Sequence, residues 1–208
     1  MRTVHVVTHP EATHHVDRVV GGWHDSDLTP AGVRAAGAIA SALRSAIPAG
    51  ARPEVITSDL TRTRRTADAV AEALGVRPMV DRRLRELSYG EAGGRPKGWL
   101  DERFVAPPAD GNRLDHDCGI RGAETIRTLA TRVYTAVDEH LARPREHQVV
   151  VTHGFAMTFV VARWIGMPVE SVGRVLFSVP AGSITTLRED DLFHDRALIS
   201  LGDTTHLT

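Results

Sequence analysis

The sequence is almost without cysteine and lysine: Cys118 and Lys97 stand alone in their kinds among 208 residues. One cysteine closes no intrachain disulfide and builds no thiolate metal cluster. With one lysine, nearly all positive charge lies on arginine, and acids balance it to a net charge of −1. That balance excludes a global attraction for nucleic acid or an anionic membrane. No long hydrophobic run occurs either. The longest, Phe155 to Ile165, is too short to span a bilayer and contains Arg163. The first strand begins within three residues of Met1, which leaves no room for a signal peptide. Internal repeats and low-complexity tracts are missing too. These absences predict a soluble, cytoplasmic protein forming one domain over residues 1–208, long enough for a sizeable core.

What is present is a repeated design. Thr3-Val4-His5-Val6-Val7-Thr8-His9-Pro10 reads as a buried strand rich in β-branched residues, ended by a histidine and a turn-fixing proline. Far downstream, Gln148-Val149-Val150-Val151-Thr152-His153-Gly154 does the same. Each strand delivers Thr-His at its carboxyl end, the end where ligands bind in open α/β sheets. His9 and His153 are therefore expected to meet over one pocket.

Between them the helical signals are clear. Thr29-Pro30 offers an N-cap and a first-turn proline, with Val33, Ala36, Ala40, Leu43 and Ile47 following at helical spacing until Pro48. Glu54 to Thr57 reads as a short strand. Ser58 is positioned to cap the next helix, whose stripe is Leu60, Ala67, Val70 and Leu74 and whose end is Gly75. Arg62 then falls in a first helical turn directly after a strand, a good place to hold an anion. From Pro78 to Gly122 the periodicity fades, and residues 84–121 read as a loop-rich insertion of the kind that forms lids or substrate-binding excursions. A helix from Ile126 to Leu141, the His153 strand with its buried helix, and strands at Ser183–Leu187 and Ala197–Leu201 complete the chain. This alternation predicts an α/β fold, a mostly parallel central sheet with helices on both faces.

His9, His153, Arg62 and the Glu86 of Leu84-Arg85-Glu86-Leu87-Ser88-Tyr89-Gly90 form the candidate site. A histidine nucleophile beside an arginine and an acid suits phosphoryl transfer, although the same groups also serve acid–base work. The pattern resembles the histidine phosphatase superfamily, the phosphoglycerate mutase-like fold, along nearly the whole chain. The resemblance is carried by Asp25 to Gly32, by Ser58-Asp59-Leu60-Thr61-Arg62 onward to Ala67, by Leu84-Arg85-Glu86 with Gly90, by Gly122-Ala123-Glu124-Thr125, by Val151-Thr152-His153-Gly154, and by the tail from Leu201 to Leu207. It implies that His9 accepts the phosphoryl group, that Arg62, His153 and the Gly154 turn hold it, and that Glu86 protonates the leaving group and later activates water. It implies no metal and no organic cofactor. The implied partner is a small, anionic molecule, with no nucleic acid or membrane, and a homo-oligomer is compatible with it. The length is closer to phosphatase members than to mutases.

The first motif of that family reads Arg-His-Gly; here it is Thr8-His9-Pro10, with Ala12 at the threonine position and His15 at the asparagine position. Loss of one partner from a buried charged contact costs roughly 2–5 kcal/mol. Thr8 and His15 are thus substrate-binding candidates in a rewritten half-pocket. The lost charge could be covered by His14, His15, Arg85 or Arg121. Three functions fit: a phosphatase, a repurposed enzyme using His9, Glu86 and His153 for acid–base chemistry, or a non-catalytic binding protein. His5 reads as a hydrogen-bonded core histidine, and Trp23 and Trp99 as loop residues near the pocket mouth. His14-His15 with Asp17 could bind a metal but reads as a solvated pair in a polar loop, and His116-Asp117-Cys118 lacks the spacing of a closed metal site.

Overall fold

The computed structural model describes the whole chain, Met1–Thr208. Six strands form one sheet: β1 (Arg2–Thr8), β2 (Glu54–Thr57), β3 (Pro78–Val80), β4 (His147–Thr152), β5 (Ile184–Glu189) and β6 (Arg196–Asp203). Their spatial order is β3-β2-β4-β1-β5-β6. The first four run parallel; β5 pairs antiparallel with β1 and β6 antiparallel with β5, so β5 alone runs against the rest. This is the mostly parallel α/β sheet expected from the alternation of elements. Strand β3 was not expected: three residues opened by a proline carry no readable period, and pairing with β2 alone makes them a strand.

Of six helices, α1 (Thr13–Val16), α2 (Pro30–Ala46), α3 (Thr61–Leu74), α4 (Lys97–Asp101), α5 (Ile126–Leu141) and α6 (Ala156–Trp164), the long α2, α3, α5 and α6 pack on the sheet, and the short α1 and α4 lie in the connecting loops. Thr29 caps α2 by accepting from Gly32 N, with Pro30 at the first position, and Gly75 ends α3 at φ +68. One correction concerns α2. Its inward stripe uses Ile39, fully buried, whereas Val33 is 45% exposed. A second concerns α3, whose N-cap is Leu60 and has no side-chain cap; Ser58 is used elsewhere.

The strands alternate their side chains between two cores. Val4, Val6 and Val150 face the α5–α6 side with Phe159 and Trp164, while Val7, Val149 and Val151 face α2 and α3. Apolar burial on both faces explains the nearly continuous valine runs. The register then builds the site. Thr8 pairs with Thr152 across β1 and β4, so His9 and His153 leave the sheet side by side. Thr57 pairs with Val151, bringing Ser58 and the start of α3 to the same edge.

Candidate active site

At the carboxyl ends of β1, β2 and β4 lies a cavity of ≈ 410 Å³. His9, His15, Arg62, Glu86 and Gly154 line it, as does Thr8. His153 stands just behind, fully buried, its ring centroid 5.2 Å from that of His9. All seven candidate residues are thus brought to one place.

His9 Nδ1 lies 2.8 Å from the carbonyl of Pro10. A carbonyl only accepts, so Nδ1 carries the proton and Nε2 keeps its lone pair. Arg62 Nε donates to that lone pair at 3.2 Å. Burial, then the charge of Arg62, holds the His9 pKa well below its ordinary value, so the ring stays neutral.

Arg62 is 1% exposed. Its remaining bonds run to the carbonyls of His24 at 2.8 Å and Gly22 at 2.7 Å. Three of five guanidinium N–H groups are engaged, which leaves two for a ligand. Burial lowers its pKa to about 10, so it remains a cation at neutral pH.

His153 Nε2 is 2.8 Å from Ser58 Oγ, which is 2.6 Å from Thr63 Oγ1. Its Nδ1 is buried without a partner. Burial, Arg62 and His9 push its pKa down as well. Ser58, expected as a helix cap, therefore orients this histidine instead.

Glu86 arrives from the insertion. Its carboxylate accepts from Leu87 N at 2.8 Å and from Phe155 N and Ala156 N, where α6 begins, at 3.0 and 3.1 Å. Burial outweighs these amides and Arg62, and the pKa is raised. The backbone around it is clamped. Arg132 Nη1 donates to the carbonyls of Arg83 and Arg85, Arg132 Nη2 to that of Glu86, and Thr152 Oγ1 to that of Leu84. Glu124 holds Arg132 at 2.7 Å.

The first loop is arranged differently from a charged phosphate grip. The Thr8 hydroxyl turns away to donate to the Pro180 carbonyl at 2.9 Å and accepts from Ser183 N at 3.2 Å. His15 Nδ1 accepts from Ala12 N, so its Nε2 carries the proton as a neutral donor. Burial and the nearby Arg62 and Lys97 lower its pKa. His14 is neutral for the same reasons, led by burial, with a pKa of about 3, and its Nδ1 meets Ser26 Oγ. The arginines considered as replacements are occupied: Arg85 pairs with Asp59 at 2.6 Å, and Arg121 with Glu91 at 3.0 Å. The second cation lining the cavity is Lys97, one turn before Asp101 on α4. Its being the only lysine was visible in the sequence; its position was not. Trp23 does not line the cavity. Its indole Nε1 donates to the carbonyl of Glu86 at 2.7 Å. His5 Nδ1 meets Thr186 Oγ1 at 3.3 Å inside the sheet, as a core histidine should.

The fold and the cavity at its strand ends define an α/β enzyme architecture, and comparison with known proteins makes that specific. The sequence profile of the histidine phosphatase superfamily (branch 1) matches residues 4–195. The chain belongs to that superfamily. It is 30% identical over 214 residues to a probable phosphoglycerate mutase GpmB of Yersinia pestis, covering 100% of this chain and 95% of the relative. Among solved structures, mycobacterial glucosyl-3-phosphoglycerate phosphatase Rv2419c with VO3 superposes with a TM-score of 0.78 at 24% identity, covering 98% of this chain and 100% of that one. Bacillus stearothermophilus YhfR gives 0.77 at 22% identity over the whole of both chains. These two likenesses show the shared fold. No helix of the chain is long and apolar enough to cross a membrane.

Proposed function

We propose that the chain, working as one domain, is a phosphomonoester hydrolase that acts on a small phosphorylated metabolite through a phosphohistidine at His9. The observation that carries this reading is the His9 tautomer: Nδ1–H is spent on Pro10, and the unprotonated Nε2 accepts only the 3.2 Å bond from Arg62 Nε, which has to yield as the phosphoryl group enters. In the first step the Nε2 lone pair attacks phosphorus, the ester P–O bond breaks, and the leaving oxygen takes the proton of Glu86. In the second step water attacks phosphorus, gives its proton to the Glu86 carboxylate, and the P–N bond breaks to restore neutral His9 and release phosphate. Arg62, with two free N–H groups, holds phosphoryl oxygens, and His153 Nδ1 and the His15 Nε2–H add neutral contacts. The reaction so written needs no metal and no organic cofactor. The names of the relatives, a phosphoglycerate mutase and a phosphoglycerate-derivative phosphatase, support a small anionic substrate. A lone cysteine and a balanced charge suit the cytoplasm.

The test is incubation with a generic phosphomonoester. Turnover and an acid-labile phosphoprotein are expected, and His9→Ala should abolish both. Turnover that survives His9→Ala overturns the reading. One observation favours a second reading, acid–base chemistry by His9, Glu86 and His153 on a substrate without phosphate. The charges lining the cavity, Arg62 and Lys97 against Glu86 and Asp101, cancel, and Thr8 adds none. Tight binding of an unphosphorylated metabolite without phosphatase turnover would favour it.

A further inference from the structure

Three consecutive loop residues, Gly22, Trp23 and His24, touch the guanidinium of Arg62 and the main chain of Glu86 without contributing a charge of their own through those contacts. The carbonyls of Gly22 and His24 accept from the two terminal nitrogens of Arg62 at 2.7 and 2.8 Å. The side chain between them, Trp23, donates from Nε1 to the carbonyl of Glu86 at 2.7 Å. The same loop is pressed against the chain that follows Glu86. Gly22 has φ +58, and a Cβ there would meet the Leu87 carbonyl at 2.6 Å and Tyr89 Cδ2 at 2.9 Å. The Trp23 ring is itself fixed by guanidinium groups, Arg85 at 4.9 Å, Arg82 at 5.4 Å and Arg132 at 5.8 Å from its centroid.

We propose that Gly22-Trp23-His24 is a positioning bracket that sets the distance between Arg62 and Glu86, and so between the phosphoryl group held and the leaving oxygen protonated. This rests on the phosphatase reading above. Arg62 comes from α3 and Glu86 from the insertion, two segments with no direct hydrogen bond between these side chains. The bracket bonds to each of them. Because the contacts to Arg62 are main-chain carbonyls, they persist through side-chain changes at positions 23 and 24.

The test compares two esters. An aryl phosphate such as p-nitrophenyl phosphate has a leaving group stable without a proton, whereas glycerol 3-phosphate leaves as an alkoxide that needs Glu86. Trp23→Phe keeps the ring and removes the N–H. Its kcat/KM for glycerol 3-phosphate, which reports the phosphoryl-transfer step alone, should fall about tenfold to a hundredfold, while the aryl kcat/KM and inhibition by inorganic phosphate change by less than about twofold. Added to Glu86→Gln, the same substitution should cost nothing further on the alkyl ester. Gly22→Ala moves the carbonyls as well and should weaken phosphate inhibition in addition. Trp23→Phe that lowers kcat/KM for both esters equally, or for neither, overturns the bracket. If Trp23→Phe does not fold, Gly22→Ala with unchanged phosphate inhibition overturns it. If the wild type hydrolyses neither ester, the phosphatase reading fails, and NMR then decides on the bracket alone. A slowly exchanging Trp23 indole proton and altered His9 ring-nitrogen shifts in Gly22→Ala support it; a freely exchanging indole proton or unaltered His9 shifts overturn it.

Discussion

Arg62 Nε and His9 Nε2 stand 3.2 Å apart, and the arginine donates to the nitrogen that the reaction needs as a lone pair. Protonating His9 would set two cations against each other in a buried site. Its pKa is accordingly held below 6.5, by burial first and by Arg62 second. The acid limb of kcat/KM should therefore lie well below the ordinary histidine value of 6.5. A limb centred at 6.5 would mean that His9 is solvated and free.

Stability should follow the same histidines. Burial lowers the pKa of His9, His14, His153 and also of His5, the last to about 4. Below pH 6.5 the unfolded chain takes up protons that the folded chain refuses, so stability falls as pH falls. The slope is up to about 1.4 kcal/mol per pH unit for each such histidine. Urea midpoints at pH 7, 6 and 5 should drop in sequence. His5→Leu, away from the cavity, should flatten the curve between 6.5 and about 4 by one proton's worth. An unchanged slope would mean that His5 charges without penalty.

Glu86 carries the opposite sign. Burial raises its pKa despite three backbone amides on its oxygens, so it holds its proton to higher pH than an ordinary carboxyl. Turnover of alkyl phosphates should fall as pH rises through that raised value, and Glu86→Gln should lack this basic limb. Glu86→Gln should also lose about 10²–10⁴ in kcat on alkyl esters. A variant with full alkyl turnover would require another proton donor.

Thr8 yields a prediction about the loop rather than the ligand. Its hydroxyl ties β1 to the Pro180 carbonyl and Ser183 N, where Val179, Pro180 and Ala181 wall the cavity. Thr8→Val removes both bonds, leaving that carbonyl and amide only their 3.3 Å bond to each other, and should cost about 0.5–1.5 kcal/mol of stability. Phosphate or vanadate affinity should change little. Thr8→Arg has to break the same bonds before its guanidinium can reach an anion. If Thr8→Val is as stable as wild type but binds phosphate more weakly, the hydroxyl faces the ligand after all.

Local signals made most of this legible. Valine-rich strands ending in Thr-His, a Thr29-Pro30 cap and Gly75 each act within a few residues, and the elements they mark are found. Arg62 was legible from its place in the first turn of a helix after a strand, and the family pattern gave Arg62 and Glu86 their roles. What escaped depends on chain segments far apart. Strand β3 exists because β2 is beside it, and Ser58 turns to His153 only because β4 lies between β1 and β2. Trp23 gave no sign that its N–H would reach Glu86, 63 residues away. Lys97 was conspicuous as the sole lysine, yet only the course of the insertion carries it to the cavity.

Ser58 supports the last prediction. Thr63 Oγ1 lies 2.8 Å from the Leu60 carbonyl and 2.6 Å from Ser58 Oγ, and Ser58 Oγ lies 2.8 Å from His153 Nε2. Two proton arrangements satisfy this chain. If Thr63 donates to Leu60, Ser58 donates to Thr63 and His153 bears its proton on Nε2, leaving Nδ1 bare. If Thr63 donates to Ser58, Ser58 donates to Nε2 and the proton moves to Nδ1, the nitrogen now without a partner. Only the second can donate to a phosphoryl oxygen, so anion binding selects it. Ser58→Ala removes the hydroxyl that stabilises the Nδ1–H tautomer, a neutral hydrogen bond of about 0.5–1.5 kcal/mol. Phosphate inhibition should weaken by roughly two- to tenfold. Thr63→Val, which still lets Ser58 donate to Nε2, should weaken it less or leave it unchanged. NMR of the His153 ring nitrogens would follow the tautomer directly, with the proton on Nδ1 in the phosphate-bound wild type. If Ser58→Ala binds phosphate as tightly as wild type, then Nδ1 of His153 does not hold the anion.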